Sequence, residues 1–164
     1  MKNSIPGIAA AFALVAVLGP SAASAAPATL TGPTALAVAA VVAQYSSLLN
    51  PGERKVIAGL FDGNGRISYP KKKLSVSADI VTCRISNVAI AERSCDIAFT
   101  KGKHSLKGRE ANEVYATLAS AGVAAQGAAG SMIESLSKLS CTLDLDAIRQ
   151  NAGGGADCSW EAGP

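Results

Sequence analysis

The residues of this 164-residue chain whose types could do chemistry are four cysteines, a single histidine and a few closely spaced acids. Cys83, Cys95, Cys141 and Cys158 include no C-x-x-C redox spacing, and His104 has no second histidine with which to complete a zinc site. An even set of this kind reads as two disulfides in an oxidising compartment. Four cysteines allow three pairings. Strand parity selects among them. Val81, Cys83 and Ile85 share one parity, as do Cys95, Ile97 and Phe99. A hairpin centred near Ala89 then sets Cys83 opposite Cys95 and Val81 opposite Ile97, all on one side of a sheet. The expected pairs are Cys83–Cys95 and, by elimination, Cys141–Cys158.

Catalysis needs an activating base beside the reacting group, and the inventory for that is thin. His104 falls between Lys103 and Ser105 in a predicted strand and reads as a surface histidine. Asp144 and Asp146 lie two residues apart, so they do not face each other on a helix, and Asp144 serves better as a helix cap. Gly153-Gly154-Gly155 is not followed by the G-K-[ST] of a phosphate loop. The run Asp62-Gly63-Asn64-Gly65-Arg66-Ile67 resembles the centre of an EF-hand calcium loop. With Gly65 at the sixth loop position, however, Leu60 falls at the first and Lys71 at the twelfth, where carboxylates are required. The run reads instead as a turn closing a helix. No catalytic residue, no metal site and no cofactor is expected.

These residues depend on the elements that carry them and on the compartment that receives them. Met1-Lys2-Asn3 is a basic start, Ile8 to Leu18 is an uncharged apolar run, and Ala23-Ser24-Ala25 fits a small-x-small cleavage site. Residues 1–25 are therefore expected to be a secretory signal peptide, with an apolar run too short to span a bilayer. The released protein would be periplasmic or secreted and not membrane-spanning. Residues 26–32 are expected to form a flexible lead, and 33–164 a single domain.

Pro33 suits a first helical position, and Val38, Val42, Tyr45 and Leu49 follow at helical spacing, so a chargeless helix is expected over 33–49. Asn50-Pro51-Gly52-Glu53 combines a cap, a proline and an acid at the start of a second helix. Leu74 to Ile85, Arg93 to Thr100 and Lys103 to Lys107 read as strands, with a tight turn at Thr100-Lys101-Gly102-Lys103. In the first of these the apolar positions change parity near Asp79, the mark of a β-bulge. Arg109 to Ala121 returns to helical spacing and Gly122 stops it. Met132 to Leu143 mixes helical and strand patterns, and the strand reading is preferred. Leu145 to Gln150 follows as one helical turn, and the glycines deliver Cys158 and Trp160 to the final edge of the sheet. The expected fold class is α+β: a small single domain, a mostly antiparallel twisted sheet with helices packed on one face, and two disulfides.

Charge divides the chain. Arg66 to Arg109 carries ten Lys/Arg against three Asp/Glu, and Glu110 onward carries seven acids against two bases. Lys71, Lys72, Lys73, Lys101, Lys103, Lys107 and Arg109 form a candidate surface for an anionic partner. Nucleic acid is not expected, because export and the scarcity of stacking aromatics argue against it. Three functions are open at this stage. The preferred one is an exported non-catalytic binding or inhibitor module, whose partner is a protein or an anionic envelope component. The second is an accessory subunit of an envelope complex, docking through Val38, Val42, Tyr45 and Leu49. The third is a small hydrolase.

Overall fold

A computed structural model of the chain describes residues 28–63, 68–85, 89–123, 132–150 and 154–162. The expected signal peptide and the EF-hand-like residues 64–67 lie outside the described residues. The strand pattern of the sequence emerges as a six-stranded antiparallel sheet. Its strands are β1 (Ala28–Thr31), β2 (Lys73–Arg84), β3 (Ser94–Phe99), β4 (Gly102–Lys107), β5 (Met132–Asp144) and β6 (Ala156–Ala162), in the spatial order β1-β6-β5-β2-β3-β4. The helices are α1 (Pro33–Tyr45), α2 (Pro51–Phe61), α3 (Arg109–Ser120) and α4 (Leu145–Gln150). The domain is thus α+β, with α1 over the central strands, α3 over β3 and β4, and α2 packed on α1.

One face of the sheet and the helices share a single core. Leu74, Val76 and Ala78 of β2 point into it, then Val81 and Cys83, joined by Ile97, Leu139 and Leu143 from neighbouring strands. Asp79 and Ile80 are both exposed, so the parity change falls where the sequence places it. Its form differs from a bulge on β2 alone. The β2–β5 register runs unbroken from Ala78↔Leu139 to Val81↔Leu136, so both strands change sides together. Lys138 adopts φ 52 there, and the slip appears between β5 and β6, between Ser137 and Ser140. A shared kink keeps the apolar residues of both strands on the core side, and the β2–β5 register shifts only beyond it, between Val81 and Cys83.

Helix ends follow their local chemistry. The Asn50 side chain accepts a hydrogen bond from the Glu53 amide at 2.9 Å, and the Glu53 carboxylate accepts one from the Asn50 amide at 3.1 Å, a complete capping box. Asp144 Oδ1 accepts from the Ala147 amide at 3.0 Å and starts α4. Gly122, at φ 73, ends α3 with paired bonds from Gly122 and Val123 back to Ala119 and Leu118.

Two expectations are corrected. Residues 28–31 are not part of a flexible lead: Thr29-Leu30-Thr31 alternates polar and apolar side chains, and the segment pairs with β6 from Ala28↔Trp160 to Thr31↔Asp157. β6 is therefore interior, and β1 takes the edge position expected of Cys158 and Trp160. The first helix stops at Tyr45, because Ser46 turns to an extended conformation, so Leu49 lies beyond it.

Candidate functional site

Both disulfides join directly opposed residues of adjacent strands: Cys83–Cys95 across β2 and β3, and Cys141–Cys158 across β5 and β6. All four cysteines are buried on the helix side, as the parity argument requires, and none is free. The pairs brace the sheet and place the chain in an oxidising, extracytoplasmic setting.

The remaining sequence candidates separate. Val38 and Val42 are fully buried and Leu49 nearly so, and the opposite positions Leu36, Ala40 and Val41 are buried as well. The chargeless helix is covered by this chain's own core, which explains its missing polar face. Tyr45 is half-buried, its ring 6.1 Å from that of His104. Burial, with Glu110 and Glu113 nearby, raises the Tyr45 pKa.

The seven basic residues do not form one patch. Lys71 is held by Glu53 at 3.0 Å, beside the Tyr69 hydroxyl at 2.8 Å, and Lys103 pairs with Asp96 at 3.1 Å. The Lys71 ammonium, then the Tyr69 hydroxyl, keep the Glu53 carboxyl below its usual range. The Ser105 hydroxyl, followed by Lys103, does the same for Asp96. Lys107 stands opposite Ser94, five residues along β4 from Gly102, so it lies about 17 Å from the hairpin tip, and Arg109 follows at the start of α3. Lys72, Lys73 and Lys101 are exposed, but the turn that carries Lys101 lies level with Asp79 in the middle of β2, six residues, or about 20 Å, from Lys73.

The register assembles a surface that the linear sequence does not display. On the face away from the helices, Thr29 stands opposite Ser159, Ser159 opposite Ser140, and Ser140 opposite Ser77. A second row runs Thr31, Asp157, Thr142, Ser75. Seven hydroxyls and one carboxylate thus form two rows across four strands, each side chain exposed or half-exposed. A depression of about 400 Å³ lies over the β1, β6 and β5 part of the rows. The signal was present as the repeated triplets Thr29-Leu30-Thr31, Ser75-Val76-Ser77 and Ser140-Cys141-Thr142, each with a core residue in the middle. Farther across the face the chemistry turns ionic, and a second hollow is lined by Thr82, Arg84, Ser94 and Asp96.

On the helix side, Leu36, Leu60, Phe61 and Ile148 line an apolar hollow of about 390 Å³, with Arg149 at its wall. Among the described residues no three His, Cys, Asp or Glu side chains gather into a metal-binding group, and no helix is long and apolar enough to cross a membrane. No protein-family model, curated protein or solved structure matches the chain.

Proposed function

We propose that this chain is an exported, non-catalytic binding module, periplasmic or secreted, whose working surface is the uncovered face of its sheet. One observation carries the reading. Among the described residues the helices cover one side of a disulfide-braced sheet, and the other side presents two aligned rows of hydroxyls over four strands. Solvation of an antiparallel sheet asks only for polar residues there. A hydroxyl-rich, register-matched array with a single carboxylate, over the β5–β6 disulfide, is a more specific arrangement, because a rigid platform loses little freedom on binding. Docking through α1 finds no support, since its apolar faces are already covered.

The test is a photo-crosslinking residue placed at Ser140 on the open face and, separately, at the exposed Lys55 on α2. The reading expects a specific adduct in the native envelope from position 140 alone. Equal adducts from both positions, or none from 140, count against it. A second reading, an anionic partner at the start of β2, rests on the exposed Lys72 and Lys73. It expects their joint replacement by Gln to weaken salt-sensitive retention on polyanionic supports.

A further inference from the structure

Resting on that reading of the open face, we infer that the two hydroxyl rows bind a neutral, extended polysaccharide chain lying across the strands. Adjacent strands are about 4.8 Å apart and alternate residues about 6.7 Å, so each row offers a hydrogen-bonding group roughly every 4.8 Å and a parallel row beside it. That is a track for a linear polymer rather than a cup for a compact solute.

The chemistry of the rows narrows the occupant. A Ser or Thr hydroxyl both donates and accepts, as does a sugar hydroxyl, so the two can exchange their water bonds for mutual ones without leaving either unpaired. Asp157 adds a strong acceptor for sugar hydroxyl donors. The rows hold no Lys or Arg, and their single charge is negative, which disfavours phosphate- or sulfate-bearing polymers. An apolar partner would leave buried hydroxyls unsatisfied. The depression over Thr29, Thr31, Ser140, Thr142, Asp157 and Ser159, at about 400 Å³, is within the range of ligand sites. The Cys141–Cys158 bridge lies directly beneath it and fixes the spacing of the two central strands.

Cellohexaose, a neutral β-linked glucose hexamer, is the probe, titrated into the isotopically labelled exported protein and followed by backbone amide shifts and by calorimetry. Saturable binding is expected, with shifts confined to β1, β6, β5 and the start of β2, and little dependence on salt. The Ser140→Ala, Thr142→Val pair should weaken binding about tenfold, since two hydrogen bonds are removed with little change of shape. Replacing Lys72 and Lys101 with Gln should leave it unchanged. Absence of shifts in the wild-type protein overturns the inference whatever the variants do, as do shifts on the helices or binding abolished by salt. If the crosslinker at position 140 captures a protein while cellohexaose causes no shift, the glycan inference falls and the open-face reading stands. If neither responds, both fall.

Discussion

The Sγ atom of Cys158 lies 3.4 Å from the carbonyl oxygen of Ala35, a residue 123 positions earlier in the chain. The contact seats the first turn of α1 directly on the β5–β6 disulfide, and the small side chain of Ala35, itself fully buried, permits the close approach. Cys95 repeats the arrangement under α3, with its Sγ 3.3 Å from the carbonyl oxygen of Ala111. Each bridge is thus a floor for one helix as well as a tie between two strands.

Removing either bridge should therefore loosen a helix along with a strand pair. The chain-entropy model gives about 3 kcal/mol for loops of this size, here spanning separations of 12 and 17 residues. Urea denaturation of the Cys83→Ala, Cys95→Ala and Cys141→Ala, Cys158→Ala pairs measures it. The unreduced wild-type protein should show no reactive thiol after denaturation.

Glu53 makes stability depend on pH. Its folded pKa is depressed, so its contribution is present above the unfolded carboxyl value of about 4.3 and is lost as pH falls through the folded value. Glu53→Gln should cost about 1 kcal/mol at neutral pH through the weakened cap and flatten the acid limb of the stability curve. Asp96 is depressed in the same direction, so part of the limb should survive and disappear only when Asp96→Asn is added. Denaturant midpoints collected from neutral to acid pH decide this; an acid limb as steep in Glu53→Gln as in the wild type contradicts the assignment.

Gly155 joins α4 to β6 at φ 91, where an added Cβ would meet Ala147 Cβ at 2.8 Å and the Asp144 carbonyl oxygen at 2.9 Å. Gly63 has φ 76 but open space around it. Gly63→Ala should cost about 1 kcal/mol from backbone strain alone. Gly155→Ala should cost about 3 kcal/mol, because backbone atoms must move as well. Equal losses in thermal melts of the two variants would refute the crowding argument.

β1 shields β6. Deleting residues 26–31 uncovers the backbone of β6 as a new edge next to the open face. Concentration-dependent self-association in sedimentation velocity is expected for the truncated chain and not for the full one.

The cysteine pairing was legible because alternation fixes sides, and sides fix which cysteines can meet. The Asn50–Glu53 cap and the Asp144 cap were legible for a similar reason, since both close within three residues. β1 was not. Ala28–Thr31 is four residues long, lacks charge and finds its partner at Asp157–Trp160, so nothing local distinguishes it from a lead. The dispersal of the seven basic residues was not legible, because sequence proximity does not determine where along the sheet a lysine falls, nor that Glu53 and Asp96 engage Lys71 and Lys103. The hydroxyl rows were hidden differently. Ser75, Ser77, Ser140 and Thr142 look like the polar half of ordinary alternation until the register stacks them.

The pairing of β1 with β6 also orders events in time. A chain synthesised N-terminus first presents Ala28–Thr31 early, yet the strand that accepts it ends at Ala162. The sheet can be completed only after β6 has been made, so the two hydroxyl rows, whose outer positions are Thr29 and Thr31, are assembled only once residues 130 positions apart have met. A product cut short before β6 lacks both the final bridge and the landing place of its own first strand.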